Sequence, residues 1–180
     1  MRNIILGLIV IFLATSCLDS EKKIHIQRID ELTSQLDSLE QSYKAMPLDS
    51  FSYIRETALN NENKIKLYFS EDTIDVEFAR AMNRYKAIRK GSKFIMQKRN
   101  FLDTVFTFQH SQLEKLKTDI QNGVGKRDKY ATYVDAELDN QSMIIQSFND
   151  FEKRYAFMRN EFYEINPLVE DKLKIYMERD

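Results

Sequence analysis

A chain of 180 residues with 43% hydrophobic and 31% charged side chains is one domain long by the usual prior, enough to bury a core under a charged surface. Four glycines and two prolines supply too few turns for a many-stranded sheet, so the composition points to an all-α fold. With 27 Lys plus Arg against 28 Asp plus Glu, there is no general electrostatic pull toward nucleic acid.

Arg2 precedes an apolar stretch over residues 4–14, broken only by Gly7, and the small residues Ala14, Thr15 and Ser16 follow. This is the three-part layout of an export signal. As a helix the stretch would span ~16 Å at 1.5 Å per residue, against a hydrocarbon core of ~30 Å, too short for a permanent membrane span. The only cysteine, Cys17, comes next. An ordinary free thiol is the alternative, but an exposed, unpaired cysteine is a liability in an oxidising compartment.

Residues 13–17, "LATSC", resemble the lipobox of bacterial lipoproteins. They depart from its commonest form in having Ala14 where leucine is usual and Leu13 one place earlier. The resemblance covers residues 1 to about 21. It implies a signal peptide over residues 1–16, a mature chain over 17–180, and Cys17 as the acylated first residue. Such a residue carries a diacylglyceryl group and a third, palmitate-type chain. Leu18 follows the cysteine, so the aspartate that retains many enteric lipoproteins at the inner membrane is absent. The resemblance thus implies a cell-envelope location, the outer membrane where two membranes exist. Asp19 and Glu21 look weakly like a surface-export signal of some Bacteroidetes lipoproteins. Only Arg2 among the charges is lost with the signal, leaving the mature chain at −2.

Ile29, Leu32, Leu36, Leu39, Tyr43 and Met46 recur at 3-4-3-4-3, an a/d seam that predicts a helix over about 20–46. Pro47 ends it, lacking an N–H and clashing with the preceding turn. Asp49 or Ser50 can cap a second helix carrying Phe51, Ile54, Ala58, Ile65 and Tyr68 to about residue 69. A polar turn at 70–73, "SEDT", precedes a third helix with Ile74, Phe78, Ala81, Tyr85 and Ile88. Arg89 and Lys90 suit its negative C-terminus and Gly91 its left-handed cap. A break there would make Ser92 the cap of a fourth helix, through Phe94, Phe101, Leu102, Val105, Leu113, Leu116 and Ile120. Without a break, Gly91 merely kinks a longer helix.

"NGVGK", residues 122–126, has the glycines but not the GxxxxGK[ST] spacing of a phosphate loop, and it follows a helix rather than a strand; it reads as a helix-to-helix turn. Ile144, Phe148, Phe151, Tyr155, Met158, Phe162 and Ile165 mark a fifth helix at 4-3-4-3-4-3. Asn166 and Pro167 would cap and open a last helix with Val169, Leu173, Tyr176 and Met177. Turns near 72 and 124 divide the mature chain into three stretches of similar length. An elongated antiparallel bundle with coiled-coil-like packing, tethered at one end, is the predicted architecture.

Little in the chain suggests catalysis. His25 and His110 lack the Glu-x-x-His spacing of di-iron bundles and the HExxH of zinc peptidases, and a lipidated Cys17 offers no thiolate. Asp135 and Asp139 share a helical face, but no turn-rich loop gathers oxygens for calcium, so a solvated face is the plainer reading. No G-x-S-x-G occurs. No cofactor or metal is implied, and a non-enzymatic protein is expected.

The feature most suggestive of binding is residues 80–99, which hold Arg80, Arg84, Lys86, Arg89, Lys90, Lys93, Lys98 and Arg99 without one Asp or Glu. The rest of the mature chain then carries −10. One reading is a docking patch for anionic headgroups, acidic glycans or an acidic protein face, with nucleic acid disfavoured by export. The other disperses the cations around the Gly91 junction, some compensating a helix end and others pairing with acids elsewhere. Tyr133, Phe157 and Tyr163 fall off the fifth helix's seam. A stripe widened to meet two neighbours accounts for them, whereas joint exposure would make a partner patch. Two functions follow: a membrane-tethered scaffold that docks a protein or glycan partner, or a carrier enclosing an apolar ligand between walls of Phe101, Phe148, Phe151 and Phe162.

Overall fold

The computed structural model describes the backbone of residues 2–69, 73 and 76–179, and side chains within that range from residue 20 onward. The export-signal and lipobox expectations, Cys17 included, lie outside the described side chains, as do Ile74 and the 70–73 turn apart from Thr73. The protein is an all-α helical bundle. Its elements are α1 (Arg2–Lys44), α2 (Asp49–Tyr68), α3 (Val76–Asn122), a short 3-10 turn (Arg127–Lys129) and α4 (Tyr130–Glu178). The chain forms two compact units, one of Met1–Lys44 with Asp103–Gln146, the other of Ala45–Leu102 with Ser147–Asp180.

In the first unit α1 packs with the C-terminal part of α3 and the N-terminal part of α4. Its core draws Ile29, Leu32, Leu36 and Tyr43 from the predicted seam, and Phe106, Leu113, Ile120, Val134 and Ile144 from the other two helices. Helix directions follow from the cross-helix pairs. Asp30 meets Lys117 at 2.6 Å, Glu40 meets His110 at 3.1 Å and Tyr43 donates to Asp103 at 2.6 Å, so α3 runs against α1. Arg28 pairs with Asp135 and Gln35 accepts from Gln141, so α4 runs with α1.

The turn joining α3 to α4 is the one the glycines predict. Gly123 N–H donates to the Ile120 carbonyl and Val124 N–H to that of Asp119, the paired bonds of a Schellman motif. Gly123 and Gly125 have φ of 69° and 83°, the left-handed region where an L side chain costs about 1–2 kcal/mol. Gly123→Ala should therefore destabilise the protein by roughly that amount, read from the midpoint of urea unfolding; an unchanged midpoint would show that the turn carries no such strain.

The second unit repeats the arrangement with α2 in the place of α1. Phe51, Ile54, Ala58 and Ile65 of α2 are buried together with Phe78, Ala81, Tyr85 and Ile88 of α3 and Phe151, Phe162 and Tyr176 of α4 in this unit's core. Tyr85 stacks on Phe162 with centroids 6.0 Å apart, and Phe78 stands edge-on to Tyr176 at 6.0 Å. Asn61, Tyr85 and Asn166 hydrogen-bond to one another inside this core.

At Gly91 the longer helix of the two alternatives holds: α3 continues through it, and the Ser92 hydroxyl donates to the Arg89 carbonyl at 2.7 Å instead of capping. Arg89 and Lys90 therefore compensate no helix terminus. The reason lies in the seam, whose phase carries on from Phe78, Ala81, Tyr85 and Ile88 through Ser92 to Ile95, Leu102 and Phe106, all buried. Phe94 and Phe101 fall one position off that phase; Phe101 is 45% exposed. Contrary to expectation, Asn166 and Pro167 do not begin a helix, for α4 passes through the proline. Buried Phe162, Ile165, Val169 and Leu173 hold both sides to the core and offset the hydrogen bond lost at Pro167. Leu48, without a side-chain cap, precedes α2, while Ser50 bonds the Pro47 carbonyl and lies 2.6 Å from the Tyr155 hydroxyl.

Candidate functional site

The eight cations of residues 80–99 all lie on α3 within the second unit, and their neighbours divide them. Arg84 reaches across to α4, 2.5 Å from Glu161 and 2.7 Å from Glu164. Those carboxylates hold its guanidinium firmly charged, and Arg84 in turn keeps the Glu164 carboxyl below the ordinary range. Arg89 meets Glu62 of α2 at 2.7 Å, with Lys66 on the same carboxylate at 3.2 Å. Burial alone would raise the Glu62 carboxyl, but the hydrogen bonds from Arg89 and Lys66 outweigh it and leave it lowered. Lys98 sits over the rings of Phe94 and Phe101 at 5.9 and 5.8 Å, and Arg99 is also engaged.

Arg80, Lys86, Lys90 and Lys93 are exposed and have no ion pair among the described residues. Three of these, Lys86, Lys90 and Lys93, follow i, i+4, i+7 spacing, which places them in one stripe along the helix. The segment thus holds two arginines tied to neighbouring helices, Arg84 and Arg89, a lysine over rings of its own helix, Lys98, and a row of lysines turned to solvent.

Beside the stripe, α3 and α4 of the second unit border a groove of about 380 Å³. Ile88, Ile95 and Met158, which belong to the core, form its floor; Ala87, Gly91, Phe94 and Phe157 form its sides. Two cross-helix bridges bound it lengthwise. Arg84 with Glu161 closes one end, and at the other the Arg154 guanidinium lies 4.5 Å from the Phe94 ring centre while also pairing with Asp150 at 2.8 Å. From Arg84 to Phe94 along α3 is about 15 Å at 1.5 Å per residue. Lys153 also lines the groove and has no ion pair among the described residues.

Gly91 is the unusual part of this surface. A glycine inside a helix costs about 1 kcal/mol relative to alanine, yet a Cβ built there would meet nothing within 4 Å. Among the described residues no contact requires the small residue, and its missing side chain deepens the groove.

The aromatics are placed differently from the widened-stripe expectation. Tyr133, Phe157 and Tyr163 are 42%, 65% and 50% exposed, so none fills an interhelical seam. Within the second unit Phe157 and Tyr163, six residues apart, point about 120° from each other around α4 and do not form one patch; Tyr133 belongs to the first unit. Phe148, Phe151 and Phe162 are buried in the packed core and Phe101 lies outside it, so these four do not wall a common cavity. The groove was missed in the sequence because its residues straddle two helices. A mid-helix glycine with Phe94 and Phe157 off the seam was the available signal.

Asp135 and Asp139 are exposed, Asp135 in its ion pair with Arg28. His110 lies 3.1 Å from Glu40 and 3.6 Å from Asp37. Among the described residues no three His, Cys, Asp or Glu side chains gather as metal ligands, and no helix is long and apolar enough to cross a membrane. Comparison with family models, curated proteins and solved structures finds no match to this chain.

Proposed function

We propose that the protein is a non-enzymatic cell-envelope lipoprotein, anchored through Cys17, whose helical body docks an anionic protein or glycan partner near the membrane. The lysine stripe is the observation that supports docking most directly. A cation paired within its own bundle contributes to the fold, as Arg84 and Arg89 do, whereas Lys86, Lys90 and Lys93 sit on an open helical face with their charge unspent. Complementary charge raises encounter rate and selects partners more than it raises affinity.

Cross-linking in intact cells tests the reading. The wild-type protein should capture a partner. Reversing Lys86, Lys90 and Lys93 together to Glu should reduce capture by about tenfold or more, as expected for loss of several complementary charges, with the helical signal and melting point retained. Equal capture by both proteins would remove the stripe from the account. A second reading, a carrier of an apolar ligand, is favoured by the groove between α3 and α4, at residues other than the four phenylalanines expected.

A further inference from the structure

The groove between α3 and α4 in the second unit, floored by Ile88 and Met158 and open above Gly91, points to a ligand class. We infer that it binds an anionic amphiphile, a single acyl chain ending in a carboxylate, with Lys153 receiving the head. The inference rests on the carrier reading and is independent of docking at the lysine stripe.

Size, shape and charge each bear on the occupant. A volume of about 380 Å³ falls within the range of small-molecule sites, roughly 300–1,000 Å³ and mostly apolar with a few polar groups at the edge. The two cross-helix bridges, Arg84 with Glu161 and Arg154 with Phe94, stand at the groove's ends. A partner helix laid along it would need both ends open for several turns, whereas a flexible chain fits between them. Among the described residues nothing demands glycine at Gly91, and Phe157 holds a largely exposed ring against the same space; an apolar occupant would cover both.

The charges then select the head group. Arg84 is neutralised by two carboxylates and Arg154 by one. Lys153, on the groove's lining, has no ion pair among the described residues. The positive charge left over suits an anion and disfavours a cationic or neutral amphiphile.

A depression on the first unit contrasts with this one. It is shallow and lined by Ser34, Ser38, Ser42 and Leu39 among others. Ser38 and Ser42 donate their hydroxyls to carbonyls of their own helix, so those hydrogens are already used.

Photo-crosslinking tests the inference on the full-length protein. Diazirine-tagged dodecanoate is the free-acid probe, the matching dodecylamine is its cationic control, and vesicles of diazirine-tagged phosphatidylglycerol present the same kind of chain in a membrane. The acid should label peptides carrying Gly91, Phe94 or Phe157. Gly91→Leu, which fills the groove, should cut that labelling about tenfold or more, a loss of the order of one well-placed contact. Gly91→Ala, whose Cβ has open space, serves as the folded comparison and should lose less, and Lys153→Glu should weaken the acid and not the amine. Labelling by the free acid supports the inference, and labelling by the vesicle lipid alone would overturn the free carboxylate head while leaving the carrier reading standing. Equal labelling by acid and amine would overturn the head-group assignment while leaving the carrier reading standing. Absence of groove labelling by every probe, or labelling indifferent to Gly91→Leu, would overturn both.

Discussion

Replacing Cys17 with alanine should move the protein from the membrane fraction to the soluble one. Each buried methylene contributes about 0.8 kcal/mol, a single myristoyl chain binds only marginally, and a second chain makes anchoring stable. The lipobox resemblance implies three chains, so the anchored protein should resist carbonate and high-salt washes and come away only with detergent. Nothing in the described helices is long and apolar enough to replace it. Partition of cell fractions, with mass spectrometry of residue 17, measures the effect. Retention of the Cys17→Ala protein at the wild-type level would sink the anchor, as would a native residue 17 without acyl groups.

The second large effect is on stability, and it separates two phenylalanines five residues apart on α4. Phe162 is fully buried, stacked on Tyr85 and edge-on to Tyr53 and Tyr163. Truncation to alanine removes its transfer free energy and leaves a cavity that neighbouring rings cannot fill, a loss of about 3–5 kcal/mol. A typical protein has only about 5–15 kcal/mol in total, so Phe162→Ala should be close to unfolded at physiological temperature. Phe157 is 65% exposed, and its replacement by alanine should change stability by no more than about 0.5 kcal/mol. Denaturant unfolding of the two variants checks the contrast. Similar losses in both would mean that α4 presents a different face to the core.

The lysine stripe is a surface property, carried by exposed charges with no ion pair among the described residues, so its removal should leave stability unchanged. The groove is a property of two helices held at a fixed spacing by Arg84 with Glu161 and by Arg154 against Phe94. Its ligand would therefore add to the stability of the second unit by mass action, which docking at the stripe need not do.

The helical class and the seams are legible in the sequence because they are local. Two prolines and four glycines cannot serve a sheet, and apolar residues at 3-4 spacing must bury one face of a helix wherever that helix lies. Leu36, Tyr85, Phe151 and Phe162 are core residues on that ground alone. The left-handed turn at Gly123 and Gly125 is equally local, since only glycine adopts that backbone without strain.

Tertiary structure decided whether Gly91 and Pro167 interrupt their helices. Each is a helix breaker by propensity, but propensity costs about 1 kcal/mol for glycine and 3 kcal/mol for proline, less than the several buried side chains that hold the helix on either side contribute. It also decided which cations of residues 80–99 stay free. Arg84 and Lys90 look alike along the chain, and only the approach of α4 gives one of them two carboxylates. The groove belongs to this second kind of knowledge, because a concavity shared by two helices exists in the distance between them and in neither of their sequences.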